Sequence, residues 1–452
     1  MMMTLCASNN NNNNSDDDDD DENNHPCGST QQENSEQLAV IDRIRSESRV
    51  PVTGPPGTGK STVISHSCFD LIKEYSPVLV VSPTNAMVNS ILAKIDYLAK
   101  QENLQLPRGF IIRYGNLSEL NYSHPYLKER YAIDDLVQQR CCSSSSAYVV
   151  DKITAGRDYM QNARIILTTD YSAKDLGNIV QAGAVLIDEA GLVRLERMGM
   201  LFSSVRDNNG KIVVIGDDKQ LPPPSHDYVA NSIFLSIVRN FKTTFLRTEY
   251  RYNTDILDLI NPYYNYQLVA DHSIRDISTA DIAKSDYQGT NNNVRKILKH
   301  ENKTVFVDTD GTSREQRHFI NTGEVSIIKD IIDGYQSMGI NNIIVITPYK
   351  QQERMLQLYL QKGLRIGTVD KFQGQEDEVT IISMVRSNHK TDNHEALGFV
   401  NIPRSCVAFS RSKRKTIIVG DRDTLIKNTF LSKSIDTIRR KDGFSIWRDS
   451  IA

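Results

Sequence analysis

The stretch Gly54-Pro-Pro-Gly-Thr-Gly-Lys-Ser61 matches G-x-x-x-x-G-K-[ST], with Gly54, Gly59, Lys60 and Ser61 at the fixed positions. It follows Arg49-Val-Pro-Val-Thr53, which reads as a strand, and precedes Thr62 to Ile72, which reads as a helix. Backbone N–H groups of such a loop wrap a phosphate at a helix N-terminus. Lys60 is then expected to reach the β- and γ-phosphates of ATP, and the Ser61 hydroxyl to ligate Mg2+.

Downstream, Ala184-Val-Leu-Ile-Asp188 is an apolar run ending in Asp188-Glu189. A strand-terminal Asp is the expected second Mg2+ anchor, and the adjacent Glu189 is a candidate general base for the attacking water. Gly216-Asp-Asp-Lys-Gln220 follows the next apolar run, where Gln220 could orient that water.

Around these motifs lie further short apolar runs: 77–82, 164–168 and 211–216 in the first half, then 304–307, 342–347, 379–383 and 416–420 in the second. Runs of this length separated by longer segments suggest parallel strands buried on both faces. Two series suggest two α/β domains in tandem. The expected fold is therefore two tandem parallel-sheet α/β domains, and the family resemblance given below implies that they are RecA-like, with ATP in the cleft between them. The first is expected over 35–245, with a polar, Tyr-rich insertion at 116–162. The second spans 246–440 and includes a polar excursion at 270–300, and a C-terminal tail takes up 441–452.

Composition agrees with this reading. The 452 residues are 39% hydrophobic and 24% charged, enough for a sizeable core in two or three domains. Residues 1–34 are rich in Asn and Asp and are expected to be disordered. Removing the seven carboxylates of Asp16–Glu22 from a chain of net charge −3 leaves a body of +4, which permits nucleic-acid binding. The six cysteines form neither a disulfide framework nor zinc-type pairs. With no membrane span and no secretory signal, a soluble intracellular protein of nucleus or cytoplasm is expected.

Taken together, these motifs resemble superfamily 1 helicases. The second half adds Thr347-Pro-Tyr-Lys-Gln-Gln352, Thr368-Val-Asp-Lys-Phe-Gln-Gly-Gln-Glu376 and Asn401-Ile-Pro-Arg-Ser-Cys-Val-Ala-Phe-Ser-Arg411. The wording is most similar to the up-frameshift-like branch, which includes the nonsense-mediated-decay helicase, senataxin and the zinc-finger NFX-type helicases, and the resemblance covers about residues 35 to 425. It implies that Gln37 reads adenine, that Tyr250 packs near adenine, and that Pro55, Pro56, Gly57 and Thr58 complete the phosphate loop. It implies that Arg251 contacts the γ-phosphate, that Glu376 contacts nucleotide and that Arg411 is a second arginine finger. Pro83, Thr84, Thr168, Thr169, Pro348, Tyr349 and Thr368 fall where these enzymes hold a single strand, largely through sugar and phosphate. Cys406 and Phe409 depart from the branch's usual Asn and Leu.

Three functions compete at this stage: an ATP-dependent RNA helicase or RNA–protein remodelling motor, which is favoured; a DNA helicase; and a nucleic-acid-binding scaffold with a degenerate motor. The intact Lys60, Asp188, Glu189, Arg251 and Arg411 argue against the scaffold. Lys413-Arg-Lys415 is either a phosphate contact or a solvated basic face.

Overall fold

The computed structural model describes residues 34–117, 120, 125–140, 148–176, 179–206, 209–220, 233–390 and 393–448. The expected disordered segment, Asn34 excepted, lies outside them, as do residues 221–232, which follow the Gly216–Gln220 motif.

Seven strands form the first sheet: β1 (Arg49–Thr53), β2 (Val78–Ser82), β3 (Ile111–Arg113), β4 (Ile165–Thr169), β5 (Ala184–Ile187), β6 (Lys211–Gly216) and β7 (Thr244–Phe245). Their order is β3-β4-β2-β5-β6-β1-β7, and every pairing is parallel. The apolar runs are continuous because both faces are covered. In β2, Val78 and Val80 pack into the core on one face, while Leu79 and Val81 pack into the core on the other.

A second sheet comprises β10 (Thr304–Asp308), β11 (Ile343–Thr347), β12 (Arg365–Thr368), β13 (Asp377–Ser383), β14 (Ser412–Gly420) and β15 (Phe444–Ile446), in the order β12-β11-β13-β14-β10-β15. It too is parallel throughout. Its faces alternate in the same way, with Ile344 and Ile346 on one side and Ile343 and Val345 on the other. Between the sheets, β8 (Thr248–Glu249) and β9 (Val269–Ala270) make a two-residue parallel ladder.

The structure departs from expectation in three places. The second sheet runs past residue 440, because Phe444–Ile446 pairs with β10; Phe444 stacks on Phe306 at 5.7 Å and Trp447 is buried. The polar stretch 270–300 is not a loose excursion: helix Asn292–Leu298 buries Val294, Ile297 and Leu298 in the second domain's core. In the 116–162 segment, where some helix such as 126–139 is expected, that stretch forms two helices, Pro125–Tyr131 and Ile133–Arg140, and a third, Tyr148–Asn162, follows. Leu127 and Leu136 enter the first domain's cores, and the Tyr131 hydroxyl donates to buried Asp96.

Lys413-Arg-Lys415 is neither a free patch nor a solvated face. Lys413 pairs with Glu376 and Arg414 with Glu378 and Asp281. Lys415 is wholly buried, donating to the Lys299 carbonyl at 2.6 Å, and burial pushes its ammonium down to about 7.

Candidate nucleotide site and strand-facing edge

The loop after β1 turns into helix α1 (Lys60–Leu71) through Gly57 and Gly59, both with φ near +80°. Only glycine takes that conformation at little cost. Space forbids a side chain as well: a Cβ at Gly57 would lie 1.8 Å from Glu249 Oε1, and one at Gly59 would lie 2.2 Å from Gln37 Nε2. Gln37, buried on the preceding helix, donates from Nε2 to the Thr58 carbonyl at 3.3 Å. The residue expected to read adenine therefore touches the phosphate loop directly. Thr58 Oγ1 donates to the Pro55 carbonyl at 2.8 Å and closes the loop.

Lys60 curls back over this loop. Its Nζ donates to the carbonyls of Gly54 at 2.9 Å and Pro55 at 3.3 Å, and lies 3.1 Å from Glu189 Oε1. Asp188 and Glu189 follow β5. Asp188 is buried, and its Oδ1 has no hydrogen-bond partner. Burial, followed by the Glu189 charge, pushes the Asp188 carboxyl up to about 7, against the opposing pull of Lys60. Glu189 holds a left-handed backbone at φ 45°, an uncommon state for a residue other than glycine. Such strain clusters at ligand-handling positions.

Ser61 Oγ accepts a hydrogen bond from Lys94 Nζ at 2.8 Å, and Thr62 Oγ1 accepts from the same ammonium at 3.2 Å. Lys94 belongs to the helix after β2 (Asn85–Gln101). An orphaned buried carboxylate oxygen, a hydroxyl and a loop whose glycines admit close approach fit a nucleotide phosphate with Mg2+. Among the described residues, no group of three His, Cys, Asp or Glu side chains offers a protein-only metal cage.

Gln220 donates from Nε2 to Asp217 Oδ2 at 3.1 Å. Asp217 is itself buried, receives the Tyr264 hydroxyl at 2.6 Å, and is pushed up to about 6 by burial. Gln220 is thus tied to a residue of the second half of the chain through one carboxylate.

Thr248-Glu-Tyr-Arg-Tyr252 reaches the phosphate loop from the other side. The Tyr250 amide donates to the Gly57 carbonyl at 2.9 Å, and the Tyr252 hydroxyl donates to the Pro56 carbonyl at 3.3 Å. Arg251 pairs through Nε with Glu376. Despite its burial, the Glu376 and Glu249 charges hold Arg251 above its ordinary value. Arg251 in turn, with Lys413, draws the Glu376 carboxyl down to about 2. Arg411 is 1% exposed and turned inward. Its guanidinium donates to the carbonyls of Val407 at 2.8 Å, Gln375 at 3.2 Å and Phe372 at 3.4 Å, and to Ser410 Oγ at 2.8 Å. Burial and then the Arg251 charge push Arg411 down to about 10.

The strand-facing candidates lie where strands end. Pro83 and Thr84 follow β2; Thr84 Oγ1 caps the next helix by accepting from the Met87 amide at 3.3 Å. Thr168 and Thr169 end β4, Pro348 and Tyr349 follow β11, and Thr368 ends β12, paired in register with Thr347. All sit at carboxyl ends of parallel strands, the edge where open α/β sheets bind ligands. Four of them are buried, Thr169 and Thr368 at 6% exposure, and two do not offer their side chains at all. Thr168 is fully buried, and Tyr349 is 4% exposed with its hydroxyl donating to the Leu397 carbonyl at 3.1 Å.

Two family models, each described as an AAA domain, match residues 37–226 and 229–423. The chain is 25% identical over 429 residues to a DNA replication ATP-dependent helicase/nuclease of Arabidopsis thaliana, covering 91% of this chain and 30% of the relative. It is 24% identical to a DNA polymerase alpha-associated DNA helicase of Saccharomyces cerevisiae, covering 87% and 65%, and 25% identical to an Arabidopsis thaliana regulator of nonsense transcripts 1 homolog, covering 87% and 33%. The chain belongs to the superfamily 1 helicases. It spans about one to two thirds of the length of these three relatives.

In this chain the two departures from the branch's wording both point into the core. Cys406 is buried, and Phe409 stacks on Phe430 at 6.0 Å. Among the described residues, no helix is long and apolar enough to cross a membrane. Reading the sequence overlooked Lys94, Asp217 and Glu249, which the structure brings to the candidate nucleotide site. Asp217 and Glu249 lie inside quoted motifs, so their acidic character beside fixed residues was an available signal. Nothing local marks Lys94, which reaches Ser61 only because two helices pack together.

Proposed function

We propose that the chain is an ATP-dependent motor on single-stranded nucleic acid, coupling hydrolysis to unwinding or to remodelling of RNA–protein complexes. Residues 35–245 act as one motor domain and 246–447 as the other. The observation that carries this reading is the facing of Lys60, Asp188 and Glu189 by the Arg251–Glu376 pair, with Tyr250 and Tyr252 bonded to the phosphate loop between them.

On ATP binding, Lys60 leaves the Gly54 and Pro55 carbonyls and Glu189 for the β- and γ-phosphates. Gln37 and Tyr250 flank the adenine. Ser61 Oγ and the free Oδ1 of Asp188 would hold Mg2+. That ion, when bound, would supply charge neutralisation at the phosphate oxygens. Glu189, relieved of Lys60, accepts a proton from the attacking water, and Gln220 orients that water. Arg251 turns from Glu376 to the γ-phosphate, and Arg411 supports the same charge. Release of either contact after hydrolysis lets the domains separate, which shifts a strand lying across the carboxyl edges of both sheets.

Similarity to a regulator of nonsense transcripts supports RNA as the strand; similarity to a DNA replication helicase/nuclease supports DNA. The deciding experiment is ATP turnover with matched RNA and DNA single strands. The motor reading requires stimulation by one of them and loss of it in Lys60→Ala. A folded protein that hydrolyses no ATP with either strand is the scaffold instead.

A further inference from the structure

Phe319 and Phe399 expose 41% and 57% of their surfaces at the carboxyl edge of the second sheet, on either side of the buried Tyr349. Phe319 stacks on Tyr349 with ring centroids 4.8 Å apart and planes 22° from parallel. Phe399 meets the same ring edge-on at 5.9 Å and 61°. The support beneath them is rigid. Tyr349 is fixed through its hydroxyl to the Leu397 carbonyl and to the Arg386 guanidinium, at 3.1 Å and 3.2 Å. Arg386 is 2% exposed and is neutralised by Glu315 at 2.7 Å.

The chain accepts backbone strain to hold the rings outward. His318 and Phe319 both have positive φ, 65° and 59°. Gly398 also has positive φ, and a Cβ there would lie 2.9 Å from the Tyr349 hydroxyl and 2.5 Å from Arg386 Nη1. Only glycine lets Phe399 sit this close. The two rings close over Tyr349 yet leave much of their own apolar surface in water, on strained backbone, and that exposed remainder is what a ligand would cover.

The surrounding charge selects that ligand. Arg317 and Lys350 are exposed and adjoin Phe319 and Tyr349 in the chain, and the Arg404 guanidinium lies 5.7 Å from the Phe399 ring. Of the nearby acids, Glu315 is engaged with Arg386, and Asp370 lies 3.7 Å from Arg404. Aromatic faces among cations suit stacked bases joined by phosphates.

We infer that Phe319 and Phe399 form a two-ring base-stacking platform for the single strand, with Tyr349 as its buried brace rather than as a contact. This rests on the motor reading above and deepens it. It adds base stacking to an edge that otherwise holds sugar and phosphate, and it is tolerant of sequence because every base presents a π-face.

The test is fluorescence anisotropy with oligo-dT, oligo-U and an abasic strand of the same length, on the full chain without nucleotide. Phe319→Ala and Phe399→Ala should each weaken binding of the base-bearing strands about ten-fold and leave the abasic strand unchanged. Phe319→Trp and Phe399→Trp should retain affinity, which separates stacking from misfolding. Comparing oligo-dT with oligo-U shows which strand uses the platform. Equal losses on abasic and base-bearing strands, or no loss at all, overturn the platform while leaving the motor reading intact. A parent chain that binds none of the strands overturns both. If the rings instead join two copies of the chain, the alanine variants change sedimentation and not strand affinity, which also overturns the proposal.

Discussion

Lys60 Nζ lies 3.1 Å from Glu189 Oε1, so the phosphate-loop cation rests on the carboxylate proposed to activate water. Binding and catalysis are coupled through that pair, since Lys60 cannot bind phosphate and pair with Glu189 at full strength together. Glu189→Gln should lower turnover by about 10² to 10⁴. Nucleotide affinity should be unchanged or tighter, because the competitor for Lys60 is weakened. Fluorescent-nucleotide titration and single-turnover hydrolysis check the two separately. Lys60→Ala should also cost stability, about 1–3 kcal/mol in denaturant unfolding, because it leaves buried Asp188 beside the half-buried Glu189 without their cation.

Arg411→Ala should reduce turnover far more than nucleotide affinity, and should also destabilise the fold by about 2 kcal/mol or more. The guanidinium serves three carbonyls and the Ser410 hydroxyl, which become unsatisfied. Arg411→Lys should rescue neither, because an ammonium cannot reproduce the planar fork. Turnover per folded molecule, corrected by the unfolding curve, is the readout. An unchanged value assigns Arg411 a structural role and leaves Arg251 as the finger.

Glu249 should give the apo protein a falling stability between about pH 4.5 and 8. Its carboxyl is wholly buried against Gly57, and Oε2 has no hydrogen-bond partner. Burial pushes it up from 4.5 to about 8, against Arg251, the Arg251 amide and Tyr252, with Glu376 adding to the rise. The folded state then holds a proton that the unfolded chain has lost, so stability is complete below the unfolded value and declines as pH rises towards the folded one. The slope is at most about 1.4 kcal/mol per pH unit for one proton. Glu249→Gln should flatten it, as measured by denaturant unfolding across that range in the absence of nucleotide.

Strand binding should weaken with salt and vary little with sequence. Neutralising about four phosphates by the body's +4 charge gives a log–log slope near −3 for a single strand. Anisotropy between low and moderate salt measures the slope, and a flat line removes the backbone contribution.

The sequence by itself determined the parallel sheets and the phosphate loop. A strand buried on both faces must be apolar at every position, as Val78–Val81 and Ile343–Ile346 are. A phosphate loop needs glycines at fixed spacing, so Gly54–Ser61 is legible in eight residues. Strand-end motifs such as Asp188-Glu189 and Pro348-Tyr349 follow from the same local rules.

Only the tertiary structure decided which side chains meet. Lys94 reaches Ser61 across 33 residues of sequence, and Tyr264 reaches Asp217 across 47. Arg411 turns inward because the loop ending at Gln375 offers it carbonyls, and Tyr349 is buried because Phe319, Phe399 and Arg386 close over it. Phe444–Ile446 was missed as a strand because three residues carry too little pattern, and its partner β10 lies about 140 residues earlier. Spacing along a chain fixes local geometry; burial, charge state and hydrogen-bond partner depend on groups brought together from distant segments, which no local pattern encodes.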